Sequence, residues 1–298
     1  MLEHRGGQAI SSIDTDEIAR FEAQAARWWD PDGDAKPLHR INPVRLQFIR
    51  DGLARHFARN AHSIRPFAGL TLVDVGCGGG IVAEPLTRLG FRVTGIDVGD
   101  EMLSVARAHA AETGLEIDYR KTNVEDLARA GARFDAVLAL EIVEHVSDVD
   151  AFLGSAATLV GPGGALIAST FNRTTRSFLL GVVAAEHLLR WVPRGTHDWR
   201  RFRRPSELAA ALRRHGLRLD SLAGMTYDPT ESRWSLTSDI GVNYLLLATR
   251  PARQPQCRVA IELAAAPFRS YEGRSARRLN APVGSGRRAK IGGRGNPY

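Results

Sequence analysis

The chain has 298 residues, 44% of them apolar, two cysteines and a formal charge of +7. That is ample length for a large α/β domain with its own core, and two cysteines exclude a disulfide framework or a cysteine zinc site. The charge suggests nucleic acid only until it is located. Residues 251–298 hold ten basic and two acidic residues, a charge of +8, so the preceding chain carries −1. The basic character belongs to a tail too poor in apolar residues to fold alone.

In chain order, residues 1–13 read as disordered, and MLEHRGGQAI lacks an apolar secretory core. No run of eighteen apolar residues occurs, so no membrane span is expected and a reducing cytoplasm fits. Asp14 is placed to cap a helix through Ile18, Phe21, Ala25, Trp28 and Trp29. Adjacent tryptophans cannot share one core stripe: either one is buried and one flanks, or the pair covers a ligand. Asn42-Pro43 is expected to begin a second helix carrying Arg45, Phe48, Ile49 and Leu53, with a linker over 60–70.

Thr71–Val73 is short, apolar and β-prone, as in a buried parallel strand. Asp74 closes it, Gly76, Gly78, Gly79 and Gly80 form a turn, and a helix over 81–89 stops at Gly90. The next strand, Arg92–Ile96, ends in Asp97, where a carboxylate can accept hydrogen bonds from both ribose hydroxyls of a nucleotide. A helix over 100–113 and a strand over 117–119 follow. Phe134–Leu140 is the fourth strand and leads into EIVEHV, a helix covers 149–160, and GPGG turns into a fifth strand over 165–170. Residues 171–204 interrupt the rhythm. A helix over 206–215 capped by Ser206, a strand near 217–223 and a last one at 242–249 complete it. The reading is a doubly wound, mostly parallel seven-stranded α/β sheet over residues 14–250.

The dinucleotide pattern G-x-G-x-x-G fails, because its third glycine would fall on Ile81. The run from Asp74 to Gly80 reads D-x-G-x-G-x-G and resembles the first motif of class I methyltransferases dependent on S-adenosylmethionine (SAM). SAM carries no pyrophosphate, so an acidic residue facing its ammonium is favourable where it would repel a dinucleotide.

Five colinear blocks are more specific: FEAQAARWWD at 21–30, KPLHRINPVRL at 36–46, DVGCGGG at 74–80, EIVEHV at 141–146 and GTHDWRRF at 195–202. Together they resemble the ubiquinone-biosynthesis O-methyltransferases. The resemblance implies a Rossmann-like fold, SAM as cofactor and Arg45, Gly76, Asp97 and Leu140 as its contacts. It implies polyprenylated phenols and catechols as substrates, with methylation of 2-polyprenyl-6-hydroxyphenol and of the 3-hydroxyl of 3-demethylubiquinol. It also implies peripheral attachment to the inner membrane and a ubiquinone-biosynthesis protein complex as partner. Glu141, Glu144 and His145 match an E-x-x-E-H motif taken in the family as a magnesium site.

The residues themselves leave the metal open. At a helix start Glu141 lies one turn from Glu144 and His145, so all three can approach one face. Two carboxylates suit Mg²⁺, whereas imidazole suits manganese, iron or zinc. The other reading makes His145 the general base, with Glu144 beside it and the acidic turn favoured by the helix dipole. His197 and Asp198 are a further acid–base candidate. The insert SFLLGVVAAEHLLRWVP at 177–193 has a broad apolar face flanked by Arg173, Arg176, Arg190 and Arg194. It reads as an interfacial element for an anionic membrane or as a helix capping the site.

Two rival functions stand against this reading. A nucleic-acid methyltransferase could use the basic tail, but the Asn/Asp-Pro-Pro-aromatic motif of base-amino methyltransferases is absent after the fourth strand, so nucleic acid is not an expected partner. A lipid-binding module would not need Asp97 and the glycine run together. Another small phenolic acceptor is the alternative substrate.

Overall fold

Eight strands form one sheet in the order β3-β2-β1-β4-β5-β8-β6-β7. They are β1 (Thr71–Val75), β2 (Arg92–Asp97), β3 (Asp118–Lys121), β4 (Phe134–Leu140), β5 (Val160–Phe171), β6 (Arg218–Asp228), β7 (Arg233–Thr237) and β8 (Asn243–Thr249). The structure, a computed structural model, describes residues 25–33, 35–180 and 198–252, all within the unit Met1–Gln254. The expectations for residues 1–24, for most of the insert and for the basic tail lie outside the described residues.

The first five strands pair in parallel, and β8 runs antiparallel between β5 and β6. Alternation sends successive side chains to opposite faces, and each face is buried, as a parallel sheet requires. Leu72, Val93, Leu138, Ile167 and Leu247 pack under α1 (Lys36–His56), α2 (Ala83–Arg88) and α3 (Asp100–Glu112). Val73, Ile96, Val137, Leu166 and Leu246 pack under α4 (Val124–Arg129), α5 (Val149–Leu159) and α6 (Pro205–Arg214). Winding reverses between β1 and β4, so their carboxyl ends flank the crevice where open α/β sheets bind ligands.

Five expectations need correction. The sheet has eight strands, because β6 runs on to Asp228 and returns as the hairpin strand β7, with Trp234 paired to Tyr227. Helix α1 begins at Lys36 with Pro37 in its first turn, and Pro43 lies inside it. An interior proline costs roughly 3 kcal/mol, which burial of Val44, Phe48, Ile49 and Leu53 offsets. The GPGG segment is an irregular start of β5, whose register shifts between Phe134 and Ala136. Arg204, not Ser206, is the N-cap of α6, and the Glu207 carboxylate reaches back to accept from its N–H at 3.0 Å. Ahead of the tryptophans the described chain is a short 3-10 turn, Ala25–Arg27, closed by turns through Gly33.

Beyond the insert the chain is fixed back onto the sheet. Phe202 is fully buried, stacked on Phe171 at 4.9 Å. Arg203 donates its N–H to Phe171 O, and Tyr244 donates its hydroxyl to Arg203 O at 2.9 Å. Phe202→Ala is therefore expected to lower unfolding free energy by about 3–5 kcal/mol. The measurement is a fall in urea midpoint at unchanged slope.

Candidate active site

The glycine turn grows out of β1 because its backbone is claimed by the neighbouring strand. Gly76 and Cys77 both donate to Ile96 O, at 2.8 and 3.0 Å. Gly76 has φ +70°, and a Cβ there would meet Ile142 Cδ1 at 2.5 Å, so no other residue fits without strain. Gly79 is required for contact: a Cβ would collide with the indole of Trp28.

Both tryptophans engage this turn. Trp28 is buried against Gly78 and Gly79. Trp29 donates Nε1–H to Gly79 O at 2.9 Å and stacks on His109 at 3.6 Å. Across the turn, Asp97 accepts from Gly78 N–H at 2.9 Å and from Val98 and Gly99 N–H at 2.8 and 2.9 Å. Its carboxylate thus fixes the glycine turn to the end of β2.

Asp74 lies on the α1 side of the sheet, 3% exposed. Its carboxyl is raised from 3.8 to about 7 in all: burial pushes it up, the Arg45 guanidinium pulls it down, and Asp97 and Glu141 push it up again. Arg45 is itself only 2% exposed. Its Nη1 donates to Glu141 Oε2 at 2.5 Å and its Nη2 to Asn42 Oδ1 at 3.0 Å, while Nε is buried with no acceptor. Leu140 ends β4 on this same side.

Glu141, Glu144 and His145 are close in sequence but are not gathered on one face. Glu141 has φ +48°, outside any helix, and Val143–His145 form a 3-10 turn separate from α5, which Asp148 caps. Glu141 Oε1 accepts from Ser169 Oγ at 2.7 Å, and Glu144 Oε2 accepts from Thr170 Oγ1 at 2.6 Å. Ser169 and Thr170 are consecutive on β5 and point to opposite faces. The two carboxylates are thereby held on opposite sides of the sheet. Among the described residues no three His, Cys, Asp or Glu side chains could hold a metal ion. As arranged, the three do not fit one. Glu144 is 4% exposed, and burial raises its carboxyl pKa. His145 beside it, the Thr170 hydroxyl and its own backbone pull it back, and Glu141 pushes it further up.

His197 lies outside the described residues. The Asp198 carboxylate caps the Trp199–Arg201 turn, accepting from Arg200 N–H at 2.9 Å. Sequence reasoning missed Ser169 and Thr170. Their signal was two hydroxyls ending an otherwise apolar strand beside the end of β4.

A methyltransferase-domain model matches residues 43–222. The chain is 51% identical over 244 residues to a ubiquinone biosynthesis O-methyltransferase of Azorhizobium caulinodans, covering 82% of this chain and 96% of that protein. It is 52% identical over 241 residues to one from Methylobacterium sp. strain 4-46, covering 81% and 97%. The chain belongs to the ubiquinone biosynthesis O-methyltransferase family. It is therefore a SAM-dependent O-methyltransferase. The magnesium protoporphyrin IX methyltransferase of Synechocystis PCC 6803, solved with bound S-adenosylhomocysteine, shares the fold. Its TM-score is 0.54 at 21% identity, over 80% of this chain and 100% of that one.

A ligand cation placed beside buried Asp74 would make cofactor binding depend on pH. A ligand ammonium beside it favours the carboxylate, so SAM binding should release a proton. Affinity is then expected to fall about tenfold for each unit below the starting value of about 7 and to level off above it. In the cofactor-free protein the same raised value makes this group's contribution to stability fall as pH rises from 3.8 to about 7. Calorimetric titration of SAM at about pH 6 and pH 8 checks this, and Asp74→Asn should flatten the profile.

Proposed function

We propose that the chain methylates a phenolic oxygen of polyprenylated ubiquinone precursors, using His145 as general base at a crevice that binds SAM through Asp97, Gly76, Arg45 and Leu140. Identity of about half over nearly the whole length of its relatives carries the substrate class. The crevice suits this cofactor: buried Asp74 matches its ammonium, and the acceptorless Nε of Arg45 matches a carboxylate. Bound there, SAM supplies a methyl group activated on a sulfonium.

The chain's own work is alignment and proton removal. An in-line displacement requires acceptor oxygen, methyl and sulfur to be held on one axis. A phenol's pKa near 10 leaves it mostly protonated at neutral pH, so a base must take its proton. His145 is partly exposed at the carboxyl end of β4, with buried Glu144 beside it. With its carboxylates divided between the two faces, the site is read without a metal step. Radiolabelled SAM with a prenylated catechol and a prenylated monophenol tests the assignment. Both should be methylated on oxygen, chelator should leave the rate unchanged, and His145→Gln should lower turnover by about 10²–10⁴-fold with SAM affinity retained. Loss of activity in chelator would restore the metal reading.

A polyprenyl tail leaves the bilayer only at a cost of roughly 0.8 kcal/mol per methylene, so the enzyme is proposed to come to an anionic membrane surface. No described helix is long and apolar enough to cross a bilayer. Instead Phe178, Leu179 and Leu180 at the start of the insert and Trp199 after it are exposed, with Trp199 edge-on to Phe178 at 6.3 Å. Apolar side chains among arginines suit an interfacial element. Exposed charges are screened within about 8–10 Å at moderate salt, whereas buried apolar surface is not. A chain ending at Arg250 should accordingly still float with anionic liposomes in high salt. Leu179→Glu should abolish that flotation, and failure of the unmutated chain to float would remove the membrane from the proposal.

A further inference from the structure

Ser169 belongs to no part of the site assigned above, yet it is fully buried at the carboxyl end of β5 with its hydroxyl committed twice. Its Oγ accepts from Glu141 N–H at 3.1 Å and donates to Glu141 Oε1 at 2.7 Å. The opposite oxygen of that carboxylate, Oε2, accepts from Arg45 Nη1. Glu141 is one of three non-glycine residues in the left-handed region among those described. A side chain rarely adopts that conformation unless its surroundings over-determine it. Here the over-determination is visible: the backbone N–H and both carboxylate oxygens are held.

We infer that Ser169 and Glu141 are positioning residues for cofactor binding, a relay from the end of β5 that fixes the Arg45 guanidinium in the crevice. This rests on the reading of Arg45 as a SAM contact. The guanidinium is brought from α1, 96 residues away in sequence from Glu141. A long side chain pays rotamer entropy for every orientation it must hold on ligand binding. Glu141 settles that orientation in advance on one edge, and Asn42 Oδ1 on another. Asn42 is itself fixed by donating to Ile81 O at 2.8 Å, just after the glycine turn. A carboxylate free to rotate would follow the guanidinium instead of directing it. The Ser169 hydroxyl is what stops that rotation, and the same bond keeps Glu141 on the α1 side, away from Glu144.

The test is a double-mutant cycle read by calorimetric SAM binding and by turnover. Ser169→Ala should raise the Kd for SAM about five- to tenfold, while turnover at saturating SAM stays within about twofold. Arg45→Ala should raise Kd more, and adding Ser169→Ala to it should change nothing further, since the relay then has nothing to position. Thr170→Ala, which releases Glu144 on the opposite face, should leave SAM affinity unchanged. A simple loss of packing would weaken binding in every background and would not separate the two hydroxyls. If Arg45→Ala leaves SAM affinity intact, the cofactor role of Arg45 fails and the relay with it. If Arg45→Ala weakens binding but Ser169→Ala does not, or if the two effects add, the relay alone is overturned.

Discussion

A guanidinium buried to 2% exposure in a crevice lined by carboxylates is the constraint on which the site depends. Removing such a charge from water costs several kcal/mol unless geometry and hydrogen bonds compensate it. Arg45 is compensated from both lips of the crevice. Glu141 stands at the end of β4, and Asn42 connects through Ile81 to the glycine turn after β1. The helix that carries Arg45 precedes the whole sheet in sequence, so it must be placed by contacts and not by connection. Apolar packing of Val44, Phe48 and Leu53 sets which face it covers. The polar bonds set where along that face it stops, because an ion pair tolerates far less sliding than an apolar stripe does.

The separation of the two glutamates follows from strand geometry. Residues 169 and 170 must point to opposite faces of β5, and each ends in a hydroxyl that holds a different carboxylate. Spacing three and four apart gathers side chains only if the backbone between them is helical. The left-handed residue at Glu141 ends that possibility before the 3-10 turn begins. One glutamate then faces the crevice beside β1 through Arg45. The other lies beside His145 in the turn where an acceptor proton would be taken.

Much of this was legible in the sequence because buried parallel strands are short, apolar and closely punctuated. The fourth strand was read to the residue, and the glycine turn and Asp97 fell where the fold places them. The misreadings share a cause: local patterns were outvoted by tertiary contacts. Asn42-Pro43 looks like a helix start, but the helix already runs from Lys36 and the asparagine side chain is spent on Ile81. Strand β7 was hidden because its residues are only half-buried and its partner strand ran on beyond the expected end. The Ser169–Glu141 and Thr170–Glu144 pairs could not be read at all, since they depend on which residues of β4 and β5 stand side by side.

Charge in the crevice also accounts for the kind of cofactor the fold accepts. On the α1 side, Asp74, Asp97 and Glu141 stand around the guanidinium of Arg45. Such a surplus would repel a pyrophosphate and attract a ligand carrying an ammonium and a sulfonium. The raised value of Asp74 is the other side of the same balance. Burial, with Asp97 and Glu141 nearby, keeps Asp74 partly protonated near neutral pH against the pull of Arg45. Exchange of that proton for a ligand cation leaves the buried charge better balanced than before. The glycine turn supports this by bringing bare backbone, clamped by Asp97 and the two tryptophans, against the site without adding charge of its own.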